Sequence, residues 1–442
     1  MKKCKFGLGA CAMSWLICGV NYVWADNGAV PPPMAPKSSA SPSDMAPAAA
    51  ALGMGIKRLF PEGSGGKHLF PEHVPKGEED VKHVFPQGWP ISLRGWVSGG
   101  YVYNGSTPSS HFNGPYNEVD RNQPQLNQLY FIAEKTLKDT KSIDLGGRVD
   151  VLFGNDFFLA QSNGLERTES GAPKWNQQLH GFALPQMYAE IGNKTVSVKL
   201  GHFYTIIGYE GVPAAGNFFY SKSYSYQFAG PFTHWGGLAT ANISPQLSVR
   251  AGVVNGWDSL DRQNDNPAFL GGVKYATTDQ FFTGSLAVIT GQEPTIIPGV
   301  FGNRTRYSAI VTLRPLEKLE FTLHQHFSSQ ANGNVNGTAA SWYGVDQYLN
   351  YTLHKTVKAG FRFEWFRDAD GTRVSGSEFR GNPNRGAFAG DFFSVTGGVN
   401  YTPHPNITFR PEVRYDWFSG EGRPFNGNNN QVMVGINAYV QF

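Results

Sequence analysis

Cysteine is almost absent. The 442-residue chain holds three, Cys4, Cys11 and Cys18, and all lie in the first 25 positions. Once that segment is removed, no disulfide framework, thiolate catalyst or cysteine-ligated metal can form. Charge is also scarce, at 16% Asp, Glu, Lys and Arg. Lys2, Lys3 and Lys5 leave with the same segment, which brings the 37 basic residues level with the 34 acidic ones. That balance offers no basic field, so nucleic acid is not an expected partner. After the first thirty residues no apolar run is long enough for a membrane-spanning helix, and mean hydropathy is −0.33. This excludes a helical membrane bundle but leaves a β-barrel open, since half of each barrel strand is polar. No G-x-S-x-G elbow, phosphate-binding loop or H-E-x-x-H is present. Neither catalysis nor a cofactor is expected.

What is abundant points to strands and turns: 53 glycines and 14% aromatic residues. The first segment, MKKCKFGLGACAMSWLICGVNYVWA, reads as a signal peptide (residues 1–25) cut after Ala25. Residues 26–90 begin Pro/Ala/Ser-rich, unable to bury a core, and read as a periplasmic linker. They carry a small repeat: KRLFPE at 57–62, KHLFPE at 67–72 and KHVFPQ at 82–87. It is either a docking motif or a duplicated linker with no partner.

From Ile91 the pattern alternates. In ITFRPEVRYDWF, Ile407, Phe409, Val413, Tyr415 and Trp417 face one way, and Arg410, Glu412, Arg414 and Asp416 the other. Sixteen such segments span 91–442, the fifth at 196–208, the ninth at 280–290 and the tenth at 304–314. Most exceed the five or six residues usual in soluble proteins, long enough to cross a bilayer at a tilt. Short turns such as NKT (193–195) and SPQ (244–246) alternate with long Gly/Asn-rich loops. That asymmetry predicts an all-β, transmembrane, antiparallel up-and-down β-barrel with short periplasmic turns and long extracellular loops. The chain ends QVMVGINAYVQF, a strand whose apolar set would face lipid and whose polar set would face the lumen. Tyr101, Tyr103, Phe153 and Trp417 fit interfacial girdles.

Several stretches resemble the OmpL-like beta-barrel porin family of bacterial outer membranes. They are LNQLYFIAEKTL (126–137), LPQMYAEIG (184–192), VKLGHFYTIIGYEGVPAAGNFFYSKSYSY (198–226), GPFTHWGGLATANIS (230–244) and VRAGVVNGWDS (249–259). The resemblance covers about 91–442 and implies a porin-like channel without naming its solute. It also implies that the terminal aromatic strand, with Tyr439 and Phe442, is the signal read by the outer-membrane barrel assembly machinery. Lipid and lipopolysaccharide are the expected surroundings. By analogy with general porins a homotrimer is expected, and the loop after the fifth strand, 209–231, folds inward to constrict the pore. Tyr209, Glu210, Phe218, Phe219 and Lys222 are its candidate residues.

Selectivity in such a pore would come from diameter and lining charge. The candidate lining is Arg148, Asp150, Arg304, Arg306, Arg362, Glu364, Arg410, Glu412, Arg414 and Asp416. These charges either oppose one another across an eyelet or pair along the wall. Arg304/Arg306 and Arg410/Arg414, as same-face basic pairs, are expected to be exposed lining. His324 and His326 share a strand face, but without a third ligand they are lumen histidines rather than a metal site. Asp258, Asp261 and Asp265 lack calcium-loop spacing and read as solvated loop carboxylates. The function expected is passive diffusion of small hydrophilic solutes. The rivals are a plugged structural or adhesive barrel tethered to the cell wall, and a membrane-embedded lipid hydrolase with a Ser/His/acid constellation.

Overall fold

The computed structural model describes residues 91–116, 123–168, 171–175, 179–261, 266–377 and 380–442. The expected leader, the Pro-rich segment with its repeats, and Asp265 lie outside them. Sixteen strands form in chain order: β1 (Ser92–Asn104), β2 (Pro124–Lys135), β3 (Asp144–Gly154), β4 (Gly181–Gly192), β5 (Val196–Tyr204), β6 (Thr233–Asn242), β7 (Leu247–Val254), β8 (Ala268–Ala276), β9 (Phe282–Pro294), β10 (Phe301–Leu316), β11 (Leu319–Gln330), β12 (Ala340–His354), β13 (Val357–Asp368), β14 (Gly390–His404), β15 (Ile407–Gly420) and β16 (Asn430–Gln441). Each is bonded to its sequence neighbours, and β16 returns to β1, closing the barrel.

Closure leaves no backbone edge for lipid to meet, the condition a membrane-spanning sheet has to satisfy. The seam runs antiparallel from Trp96 opposite Gln441 to Asn104 opposite Met433. Past the strand, the Gly95 N–H donates to the Phe442 carbonyl (2.8 Å) and the Phe442 N–H to the Gly95 carbonyl (3.0 Å). The Phe442 ring meets Phe131 edge-on, 5.7 Å between centroids. Gly95 suits this contact, because a Cβ there would meet both the Tyr130 carbonyl and the Phe442 ring.

The period of two separates the barrel's faces. On β16, Val432, Val434, Ile436 and Val440 are exposed on the outside, while Gln431, Met433, Asn437 and Tyr439 are buried inside. The same division holds elsewhere: Val149, Leu200, Val253, Leu286 and Val413 face out, and Arg148, Asp150, Leu238 and Arg414 face in. Outward rings form a row across β10 to β15, through the cross-strand neighbours Tyr307, Phe327 and Tyr343, then diagonally to Trp365 (5.8 Å from Tyr343), and on through its partners Phe393 and Trp417. Tyr307 stacks on Phe327 at 6.2 Å, and Phe393 on Trp417 at 5.1 Å. Amphipathic rings at this position suit a membrane interface.

Two expected boundaries shift for physical reasons. β5 stops at Tyr204 rather than 208, because the chain leaves the wall there. The Thr205 N–H still reaches the Phe232 carbonyl (3.0 Å), and Gly208 then turns with φ 97°. β9 and β10 run past 290 and before 304, up to Phe301 opposite Pro294. Their outward residues here are polar, with the Thr290 and Thr305 hydroxyls 2.7 Å apart. Apolar periodicity fades there while the backbone ladder continues.

The face assignment predicts the effect of a lipid-side charge. Ile436→Arg should cost about 2–4 kcal/mol if it lies near the bilayer midplane, and less towards an interface. Denaturant titration of the barrel in vesicles measures this. An unchanged midpoint would mean that Ile436 does not face the hydrocarbon core.

Candidate channel lining and inner loop

The segment 205–232, between β5 and β6, lies within the barrel. It contains a 3-10 turn (Ala214–Gly216) and one short helix, α1 (Tyr224–Ala229). Ser223 caps α1 by accepting from the Tyr226 N–H at 3.0 Å. Most of the segment has no regular partner for its backbone, yet Phe219, Tyr220, Lys222, Tyr224, Phe228 and Ala229 are all buried. Buried N–H and C=O groups need acceptors and donors from elsewhere. The wall supplies them.

Arginines donate to loop carbonyls. Arg410 reaches those of Ala214 and Asn217 (both 2.8 Å). Arg362 reaches Ser221 (2.7 Å), Arg414 reaches Lys222 (2.8 Å) and Arg306 reaches Ala229 (2.7 Å). Trp342 also donates to the Ala229 carbonyl, at 2.9 Å. Carboxylates accept from loop N–H groups. Glu412 takes those of Tyr220 (2.8 Å) and Ser221 (3.0 Å), and Glu364 takes that of Tyr224 (2.8 Å). Asp416 accepts from the Tyr224 hydroxyl at 3.0 Å, and Asp346 from the Ser225 hydroxyl at 2.8 Å.

The charges are also paired among themselves: Arg362 with Glu364 (2.8 Å), and Arg414 with Asp416 (2.8 Å) and Glu364 (3.2 Å). The loop's own Glu210 accepts from Arg362 (2.8 Å), from the Ser223 N–H (2.8 Å) and from the Tyr348 hydroxyl (3.2 Å). Lys222 donates to the Gly211 carbonyl (2.8 Å).

Rings dock where the wall lacks side chains. Phe218 lies where a Cβ on Gly360 would stand, and the Tyr220 ring is 2.6 Å from the Cβ position of Gly100. Phe219 lies under the Arg362 guanidinium at 5.0 Å, and Tyr209 packs on Tyr348 at 4.5 Å.

Other connections close around the loop. The 3-10 helix Asn155–Leu159 is buried against β1–β4 and meets Val212 in the same apolar cluster. Arg380 donates to the Asn155 carbonyl (2.8 Å) and lies 4.6 Å over the Phe158 ring. Burial pushes the Asp156 carboxyl up to about 6, opposed by Lys222 and by its bond from Gln128. Arg373 donates to the Phe228 carbonyl (2.9 Å), and burial beside Arg304 brings its guanidinium down to about 10. A cavity remains at the loop's root, lined in part by Thr205, Tyr209, Glu210, Tyr226, Arg306 and His324.

In sequence, residues 90–442 match the family described as Putative beta-barrel porin-2, OmpL-like. The chain belongs to that family. Among curated proteins none matches it. Among solved structures it is similar to the outer membrane channel DcaP of Acinetobacter baumannii, at 12% identity and TM-score 0.52, covering 80% of this chain and 97% of that one. It is similar to OmpF of Salmonella typhi in complex with daunomycin, at 11% and 0.52, covering 82% and 100%. It is also similar to the trimer form of OmpT, an outer membrane protein of Vibrio cholerae, at 9% and 0.51, covering 80% and 99%. At these identities the likeness is one of fold. Family and neighbours together point to the bacterial outer membrane.

Within this porin the expected lining residues all face inward, but their surroundings correct one expectation. Arg306, Arg410 and Arg414 are buried, not exposed lining, because loop carbonyls occupy them. Arg304 lies apart from them, bonded to the Gln330 side chain (2.8 Å) and the Pro294 carbonyl (3.0 Å). Arg148 and Asp150 pair within β3 (2.7 Å), with Glu134 of β2 at 3.5 Å from Arg148. Tyr439 turns inward, its ring 5.0 Å beneath Arg410. Asp258 is no solvated carboxylate: it accepts from the N–H groups of Phe232 (2.9 Å) and Thr233 (2.8 Å). Among the described residues no cluster suits a metal.

Sequence reasoning missed Arg373, Arg380 and Tyr116, which come from loops without periodicity; the Tyr116 hydroxyl donates to Asp416 (3.3 Å) and its ring lies 4.7 Å from the Arg414 guanidinium. It also missed a Ser/His/Asp series. The Ser308 Oγ lies 2.9 Å from His324 Nε2, and His324 Nδ1 lies 2.9 Å from Asp346. Ser308 is 1% exposed and its oxygen already accepts from the Gly208 N–H at 3.2 Å.

Glu412 is the wall carboxylate that holds two consecutive loop amides. Glu412→Ala leaves both without their acceptor, at about 1–3 kcal/mol each. Limited proteolysis of the refolded barrel should then cut within 205–232 sooner, while the closed barrel persists as a heat-modifiable band. Unaltered protection would show that those two bonds do not hold the loop.

Proposed function

We propose that this porin is a passive diffusion channel for small hydrophilic solutes, with 205–232 as its constriction. The observation that carries the reading is the division of the inner wall. The loop is bonded mainly to β10–β16, whereas inward residues of β5–β10 near the short turns remain half-buried: Lys199, Thr240, Arg250, Lys274, Ser285 and Arg314. A polar strip beside a fixed loop is what a narrowed aqueous path requires. Tyr209, Glu210, Phe218, Phe219 and Lys222 then set the aperture from the loop. The arginine–carboxylate wall holds the loop in place.

The remaining assignments fit the same reading. Residues 1–25 direct export and 26–90 form a periplasmic extension. The last strand, with Tyr439 and Phe442, is offered to the barrel assembly machinery. The barrel sits among outer-membrane lipid and lipopolysaccharide. It assembles as a homotrimer, a state for which the trimer form of the similar OmpT is support.

Planar-bilayer recording tests the channel. Uniform conductance steps are expected from the refolded chain. Replacing 213–222 by a short Gly/Ser link should enlarge each step severalfold, since conductance follows the open cross-section. A closed barrel that conducts in neither form would favour the plugged structural alternative.

We also propose that the barrel catalyses nothing. Ser308 is shielded by the loop's root, and one lone pair of its hydroxyl is engaged by the Gly208 N–H. A fluorophosphonate probe should leave Ser308 unlabelled, as read by mass spectrometry of the intact barrel. Stoichiometric labelling that Ser308→Ala abolishes would instead establish a hydrolase.

A further inference from the structure

We infer that the mouth on the long-loop side holds a recognition subsite for small carboxylate solutes, built from Arg373 and Trp257. The inference rests on the channel reading above for the solute's access, and adds the chemical class that the mouth retains.

The subsite lies where two connections meet the end of α1. Trp257 comes from the link between β7 and β8, Arg373 from the link between β13 and β14, and Trp342 from the start of β12. Trp257 is fixed by its backbone N–H, which donates to Glu293 at 2.9 Å, and by Trp342, edge-on at 6.4 Å. The Arg373 guanidinium lies 4.9 Å from the Trp342 ring and 5.5 Å from the Trp257 ring, and Arg304 lies 4.7 Å from Trp257. A guanidinium makes its hydrogen bonds in its own plane, so rings against its face leave its edge usable. Arg373 Nε donates to the Phe228 carbonyl (2.9 Å), which sets the subsite beside the inner loop. Among the described residues its two terminal nitrogens have no acceptor, and the side chain is half-buried.

A second group lacks an acceptor in the same cluster. The Trp257 indole N–H is buried without a partner, on a residue 8% exposed. Buried donors in folded proteins are nearly always paired. The neighbouring carboxylates are engaged elsewhere. Asp368 accepts from the N–H groups of Thr372 (3.0 Å), Arg373 (2.8 Å) and Val374 (2.9 Å). Asp258 holds Phe232 and Thr233, and Glu293 holds the Trp257 amide and lies 3.7 Å from Arg304. The acceptor for Arg373 and Trp257 is therefore a solute. A planar carboxylate matches the guanidinium edge with two parallel hydrogen bonds, and the indole N–H is a further donor beside it. One negative charge suits the one guanidinium edge left open. A phosphate group carries about −1.5 to −2 at pH 7, and its excess would face Asp258, Glu293 and Asp368.

The test uses the refolded full chain in detergent, with benzoate and its uncharged isostere benzamide as probes. Ligand-observed NMR titration reads binding without requiring conductance. Benzoate should bind saturably, and benzamide at least about tenfold more weakly, the scale of a charge-assisted pair. Arg373→Gln should weaken benzoate binding by about tenfold or more. Trp257→Phe keeps a ring for both guanidinium groups and removes only the N–H, so it should cost about threefold. Three outcomes would each overturn the inference: benzamide binding as well as benzoate, an Arg373→Gln barrel with wild-type affinity, or inorganic phosphate competing as well as benzoate. If Arg373→Gln gives no heat-modifiable barrel, Trp257→Phe decides, and wild-type affinity in that variant removes the subsite. Planar-bilayer recording of the same preparation separates the two readings. Conductance without benzoate binding leaves the channel and removes the subsite. Benzoate binding without conductance leaves the subsite and removes the channel.

Discussion

A polypeptide that folds into a barrel and packs against its wall takes its own peptide groups away from water. Every N–H and C=O it buries must find a partner, or cost about 1–3 kcal/mol. The segment 205–232 is mostly neither helix nor strand, so it cannot satisfy itself. Arg306, Arg362, Arg410 and Arg414 supply donors to its carbonyls, and Glu364 and Glu412 supply acceptors to its amides. This explains the alternation of basic and acidic residues along the inward face of β15. A loop backbone presents donors and acceptors in turn, and Arg410, Glu412 and Arg414 answer it in kind, while Asp416 takes the Tyr224 hydroxyl. The ion pairs among these residues offset the desolvation that burying each charge would otherwise incur.

This arrangement also explains which parts of the molecule were legible in the sequence. The strands were legible because lipid demands an apolar residue at each outward position, which is every second residue, and β16 meets that demand along most of its length. Where lipid-side residues turn polar, at Thr290, Gln292, Asn303 and Thr305, the pattern dims and the bounds of β9 and β10 slip. The inward direction of Arg410 and its neighbours was legible from the same period. Their partners were not. Alternation says that a side chain faces in, but not what comes to meet it, and Arg410 meets carbonyls near position 214. A usable signal did exist in the inward glycines Gly100 and Gly360, placed where aromatic rings of the loop come to rest. Tyr116, Arg373 and Arg380 act from irregular connections and left no comparable trace.

The inner wall is therefore divided by task. One arc carries densely charged residues whose charges are largely neutralised by one another and by the loop. The other carries fewer charges, spaced by Thr, Ser and Gly. A net formal charge of +3 for the whole chain says little about either arc, because what a solute meets is the local distribution and not the total.

The seam between β1 and β16 and the strut formed by 205–232 share a property that governs how the molecule comes into being. Both join segments distant along the chain. The seam needs β16 to reach β1, and the strut needs strands up to β15 to hold its backbone. Neither can exist before those distant strands are in place. Until the far strands arrive, the peptide groups of 205–232 must stay hydrated, so the order of events is forced: the strands gather first, and the loop's backbone sheds its water only as the ring shuts. Contacts of such long sequence separation fold slowly. A chain of this design therefore spends its vulnerable period as an open, wet sheet whose last strand has yet to find its first.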